Sequence, residues 1–193
     1  MKHYNVRSTL ISRTIEVIAT AGLDKTTTKA IAEGTGFGEM YIYRHFKNKD
    51  DLLAKTFDSL DEELVVQTLR YVPNVFAENG ECEQNFRDAF FPIWDFLIGN
   101  REKCLAFIRY YYSPYYAKYS VESHKERYAP LVELIRPAFK EEADVWMILV
   151  HILNVMLAFA VKVFYEEMPK DDDYVEHVFR VIYHSIEQYF KTE

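Results

Sequence analysis

The run VWMILVHILNVMLAFAVKVFY, Val145 to Tyr165, is almost wholly apolar and about as long as a bilayer is thick. A chain carrying it must either thread it through lipid or cover it with protein on most of its circumference. His151, Asn154 and Lys162 interrupt the run, and its flanks are acidic: Glu141, Glu142 and Asp144 before it, Glu166 and Glu167 after it. A spanning helix tolerates such interior groups poorly and carries a basic bias on its cytoplasmic side. The expectation is a buried helix and no membrane partner.

The rest of the chain supplies the cover. Its 193 residues are 49% hydrophobic, with only six Gly and six Pro. Apolar residues recur at spacings of three and four, and no long strand-like alternation competes. This predicts an all-α protein of about nine helices. Cys82 and Cys104 lie far apart without metal-ligand spacing, so neither a disulfide scaffold nor a zinc site is expected. The opening MKHYNVRSTL lacks the apolar core of a signal peptide, which predicts a cytoplasmic location.

Charge divides the sequence. Of 23 Lys plus Arg and 30 Asp plus Glu, residues 1–49 hold eight bases and four acids, a balance of +4; the other 15 bases and 26 acids give −11. The acidity belongs to the C-terminal part, and a polyanion would meet a basic N-terminal segment.

In that segment Leu10, Ile11, Ile15, Val17, Ile18 and Ala21 make a helical stripe over 8–21, which Gly22 ends. Thr26 to Thr28 supply N-cap hydroxyls for a short helix with Ile31 and Ala32 facing inward, and Gly34 and Gly36 break it. Gly38 caps a third helix, Glu39 to His45, with Ile42 and Phe46 on one side. Asn48 caps a fourth, with the stripe Leu53, Phe57, Leu60 and Leu64. A break around Pro73 to Gly80 follows, then helices over 83–98, 101–112, 122–140 (interrupted by Pro130 and Pro137) and 142–167. The acidic KDDDYVEH opens the last helix.

Taken in order, ATAGLDKTTTKAIAEGTG and GEMYIYRHFKNKDDLL resemble the TetR family of transcriptional regulators. The resemblance is carried by Thr26, Thr27, Ile31, Ala32, Gly36, Tyr43, Phe46 and Lys49, and it covers about Leu10 to Leu64. It implies a helix-turn-helix DNA-binding domain over 5–65, joined through the fourth helix to a ligand-binding and dimerisation domain over 66–193. It further implies a homodimer on a palindromic double-stranded operator, most commonly as a repressor, released by a small-molecule effector.

Carried over by position, Thr28 matches a phosphate contact, Lys29 a residue that reaches a base edge, and Tyr41, Tyr43 and His45 backbone and base contacts, with Arg44 as a phosphate partner. Lys49 opposes its helix dipole unless it flanks a phosphate, the alternative being a solvated lysine. Tyr43 reads equally as a structural anchor. The departures from the pattern are Gly38, Glu39 and Met40. Glu39 repels phosphate but can accept from cytosine N4, and Met40 can pack on a thymine methyl, so the pair sets operator sequence or else abolishes binding. Loss of binding would leave a helical dimeric adaptor.

In the C-terminal part, FIRYYYSPYYAKY concentrates tyrosines around Pro114. They read either as pocket lining or as helix contacts. The pocket candidates are Trp94, Phe107, Tyr110, Tyr111, His151, Asn154 and Phe164; His151 and Asn154 would orient a ligand or bond across the dimer. The apolar helix and the last amphipathic helix carry the dimer candidates Trp146, Leu149, Leu153, Val178, Val181, Ile182, Ile186 and Tyr189, in a two-fold four-helix bundle. His177 and His184 lie two turns apart, a spacing that makes no chelate on one helix, and no nucleophile has an adjacent base. No enzymatic function, metal or cofactor is expected.

Overall fold

The computed structural model describes residues 5–72 and 81–191; the expected break around Pro73 to Gly80 lies outside them. The described residues form ten α-helices and no β-strand. They are α1 (Val6–Ala21), α2 (Thr28–Ala32), α3 (Met40–His45), α4 (Lys49–Tyr71), α5 (Cys82–Gly99), α6 (Arg101–Tyr111), α7 (Pro114–Tyr119), α8 (Val121–Ile135), α9 (Val145–Phe164) and α10 (Asp172–Ile186). Two compact units result. The first takes the chain to Glu63 together with Glu102–Lys125, the second takes Leu64–Arg101 and Glu126 onward, so the division falls within α4 and α8.

Helix starts follow the side-chain chemistry. Asn5, Thr27, Asn48, Asp144 and Asp171 each accept a backbone N–H in the first turn of the helix they precede. Asp51 returns the favour of Asn48 by accepting the Lys47 N–H at 2.9 Å. Pro114 begins a helix instead of ending one: Ser113 caps α7, and proline at the first helical position gives up an N–H that had no partner there. Pro130 sits inside α8, while Pro137 falls in a 3-10 turn beyond it. At the end of α9, Glu166 takes φ 58°, the left-handed conformation that lets its N–H and that of Glu167 reach the Val163 and Lys162 carbonyls.

In the first unit α1 packs on α2 and α3 through Leu10, Ile18, Ile31 and Ile42, all essentially inaccessible to solvent. Phe57 of α4 anchors the remainder, with the rings of Tyr110 at 4.7 Å and Phe107 at 5.1 Å. Arg109 of α6 donates to the Ile18 and Ala19 carbonyls at 2.7 and 2.8 Å, so a cation satisfies the C-terminal end of α1. His124 Nδ1 lies 3.0 Å from both carboxylate oxygens of Asp61, a buried pair. Burial pushes the Cys104 thiol up to about 12, which leaves it unreactive in the folded chain.

In the second unit α5, α9 and α10 pack against one another. Phe86, Phe90 and Phe179 meet at ring distances of 5.4 to 6.2 Å. The Arg87 guanidinium lies 4.2 Å from the Phe179 ring and grips the Glu176 carboxylate at 2.5 and 2.9 Å. The C-terminal turn is fastened by Lys140 N–H to the Tyr189 carbonyl and Lys191 N–H to that of Ala138, beside the stacked rings of Phe139 and Phe190.

The hydrogen bonds from Arg87 hold the Glu176 carboxyl below its usual range. A carboxyl depressed by folding contributes stability that is complete at neutral pH and is lost as pH falls through its folded value. Glu176→Gln is expected to cost about 1 kcal/mol at pH 7 and to flatten the loss of stability below the usual carboxylate range. Urea melts from pH 7 to 3 check both.

Candidate nucleic-acid interface

The three threonines of TTTKAIA have three different jobs. Thr26 is buried, its hydroxyl on the Gly22 carbonyl at 2.8 Å. Thr27 caps α2. Thr28 donates its hydroxyl to a Glu39 carboxylate oxygen at 2.5 Å, tying the start of α2 to the start of α3. The Glu39 carboxylate therefore does not serve its own helix. Glu39 already has helical backbone angles and makes no side-chain cap, while the Gly38 carbonyl accepts from Tyr41. The regular helix is counted from Met40, one residue later than expected.

α3 has a dry side and a wet side. Ile42 and Phe46 are buried, whereas Met40 is 66% and Tyr43 59% exposed. Tyr43 is thus no core anchor. Gly38, Glu39, Tyr41, Arg44 and His45 are also exposed. The Arg44 guanidinium rests 5.1 Å from the Tyr41 ring, and a second nitrogen contact reaches the Met40 sulfur at 3.8 Å. That arrangement pre-orders a cation and two flat or soft surfaces on a helix of six residues. Lys29 is exposed at the adjoining end of α2. Lys49 is half-buried, its ammonium 5.9 Å from the Tyr115 ring.

Three contributors escape a local reading. Arg7 lies exposed with its guanidinium 5.3 Å from the Phe46 ring. Tyr119 donates to Asp50 at 2.8 Å, and Tyr115 faces Lys49, so the tyrosine-rich segment braces the first turn of α4. The sequence signal was the segment's density of tyrosines; their destination was set by contacts about 70 residues apart.

The other candidates fall in different places. Phe107, Tyr110 and Tyr111 belong to the first unit; Phe107 and Tyr110 are buried against Phe57, Tyr111 stacks on Phe107, and the Tyr110 hydroxyl pairs with Ser120 at 3.0 Å. Trp94, His151, Asn154 and Phe164 belong to the second. Trp94 is buried on Phe90, and exposed His151 bonds Ser185 at 2.8 Å. None of the seven lines the apolar cavity of the second unit. Among the dimer candidates, Leu149, Leu153, Val178, Ile182 and Ile186 are buried within the chain, Trp146 and Tyr189 are half-buried, and Val181 is 56% exposed. The residues turned to solvent on the same two helices are Met147, His151 and Ala158 of α9 and Asp172, Asp173, His177, Arg180, Val181, His184 and Ser185 of α10. Hydrophobic period finds a helix's most apolar stripe, and here that stripe is spent inside the chain. Among the described residues no three His, Cys, Asp or Glu side chains gather to hold a metal ion.

An all-α chain whose short second and third helices share a buried floor and expose basic and aromatic side chains is a helix-turn-helix DNA-binding protein. Residues 10–56 match the family model described as bacterial regulatory proteins, tetR family. Over that N-terminal segment the chain is similar to the TetR family of transcriptional regulators. Its fold is shared with a TetR family regulator from Marinobacter aquaeolei VT8, at TM-score 0.76 and 13% identity over 93% of this chain and 94% of that one. A second from Shewanella sp. PV-4 has TM-score 0.76 and 17% identity over 93% and 97%. A multidrug binding protein, EbrR, complexed with imidazole, has TM-score 0.59 and 15% identity over 91% and 93%. No curated protein matches by sequence.

The division of α3 into two sides is checked by paired truncations. Ile42→Ala is expected to destabilise the chain by about 2–5 kcal/mol through the cavity it leaves, and Tyr43→Ala to change stability by no more than about 0.5 kcal/mol. Thermal unfolding of both variants decides it.

Proposed function

We propose that the chain is a ligand-responsive repressor that binds a palindromic operator as a cytoplasmic homodimer and leaves it when a small molecule binds. The carrying observation is the exposed set Lys29, Tyr41, Tyr43, Arg44 and His45 above the buried floor of Ile31, Ile42 and Phe46. Arg44, Lys49 and the hydroxyls of Tyr41 and Tyr43 suit phosphate, and Lys29 and His45 suit base edges. The domain roles follow: DNA reading by 5–65, ligand binding and dimerisation by 66–193.

The homodimer is supported by the outward sides of α9 and α10. Met147 is 51% and Val181 56% exposed, on two helices that a second copy would cover in a two-fold bundle. The same cover serves a helix that is apolar enough to cross a membrane but has only 39% of its most apolar stretch buried within the chain. A ligand-binding role is in keeping with EbrR, whose fold this chain shares.

Glu39 favours a second reading only if its charge prevents binding. With one oxygen accepting from the Thr28 hydroxyl, the carboxylate is held at the front of α3, where it can accept from a cytosine amino group. Thr28 then positions Glu39 and does not itself hold a phosphate.

Fluorescence anisotropy with duplexes from the chain's own upstream region tests the function. A specific duplex is expected to bind at least a thousandfold more tightly than random DNA, with affinity falling steeply as salt rises. Equal weak binding to both would favour the adaptor. Selection from randomised duplexes is expected to return cytosine at one position of each half-site for the native chain and adenine there for Glu39→Gln, because an amide pairs with adenine N6 and N7. An unchanged base preference would remove Glu39 from the reading set.

A further inference from the structure

In the second unit, side chains of α4, α5, α8 and α9 line a partly open cavity of about 50 Å³. Phe86, Phe90, Ile93, Leu131, Leu149 and Met156 make much of its wall. The one lining residue with a polar side chain is Thr68, and its hydroxyl donates to the Leu64 carbonyl at 2.9 Å. The wall therefore offers a guest no free donor and no charge. A polar group entering it would lose its water with nothing in exchange, whereas hydrocarbon would gain the dispersion contacts that an unfilled space forfeits.

Size narrows the choice further. A dry cavity lined by Leu, Ile and Phe accepts benzene at roughly 150 Å³; this one has about a third of that volume. It can admit a thin alkyl segment without displacing its walls, and a ring only by moving them. Close-packed interiors resist such movement.

We propose that this cavity is the effector site and that it takes an unbranched alkyl chain. The effector is an aliphatic amphiphile whose hydrocarbon end fills the cavity while its polar end stays outside the apolar wall. The proposal rests on reading the chain as a ligand-responsive regulator and specifies the chemistry of that ligand. α4 contributes Thr68 to the wall and its first turn to the DNA-binding unit, so a guest in the cavity touches a helix that both units share.

The experiment uses the full chain with 1-hexanol, 1-octanol and 1-decanol, and with cyclohexanol and benzyl alcohol as compact probes. Thermal melts are expected to rise with linear chain length, by about 2–4 °C for the best probe, and to move little with the compact ones. Ala89 lines the cavity; Ala89→Leu fills it and is expected to melt no lower than the native chain without probe and to lose the alkanol response. Should that variant fold poorly, Ile93→Phe serves the same purpose. Upstream-DNA affinity is expected to fall at least tenfold with the best alkanol in the native chain and not in the filled variant. No shift with any linear probe, an equal shift in a filled variant, or a larger shift with benzyl alcohol would overturn the alkyl assignment. Thermal shifts without any loss of DNA affinity would overturn the effector role. DNA binding measured without probe tests the regulator reading separately, so its failure is told apart from failure of the ligand class.

Discussion

Everything proposed for DNA depends on the burial of Ile31, Ile42 and Phe46. A helix of five residues and one of six cannot persist alone in water, because nucleation costs more than so few hydrogen bonds return. What holds them is a floor formed with Leu10 and Ile18 of α1 and Leu52 and Leu53 of α4, where solvent is excluded. Once that floor is sealed, α3 has one direction left for its polar residues, and Tyr41, Tyr43, Arg44 and His45 share it. Arg109 then secures the C-terminal end of α1, and the Tyr119–Asp50 bond the first turn of α4.

Glu39 is where local chemistry and function pull against each other. An acid before a helix is favourable to the dipole, and an acid facing phosphate is not. The bond to Thr28 reconciles them: it gives the carboxylate a neutral donor and a fixed position, and it links two helices across a turn whose Gly34 and Gly36 adopt φ 86° and 76°. The residue that stood out as a departure from the family pattern is also the residue whose geometry is most constrained at that end of the helix.

The two halves of the chain differ in how far a sequence reveals them. Around α1 to α4 the helix limits, the caps at Thr27 and Asn48 and the buried stripe were legible, because period, hydroxyl caps and glycine breaks act over a few residues. In the second half the elements were legible but their uses were not. α7 is too short for a period to define, and Pro114 reads locally as a helix stop although it opens α7. The tyrosines of FIRYYYSPYYAKY were visible as a cluster, yet Tyr110 went into the core, Tyr115 to Lys49 and Tyr119 to Asp50. The apolar stripe of α10 suggested a surface for a partner and was largely consumed by packing on α5 and α9, leaving Val181 outside.

By itself, the sequence determined the all-α class, the helix-turn-helix and the TetR likeness of residues 10–56, through hydrophobic period, ordered motif residues and a basic segment on an acidic chain. Only tertiary structure decided which acceptor takes the Thr28 hydroxyl, which side of α9 meets solvent, and where the second unit leaves apolar space. The physical reason is distance along the chain. Arg109 meets Ile18 across 91 residues and Arg87 meets Glu176 across 89, and no local pattern specifies which of many equivalent apolar or charged neighbours will arrive. Those choices are made when side chains compete to fill one volume.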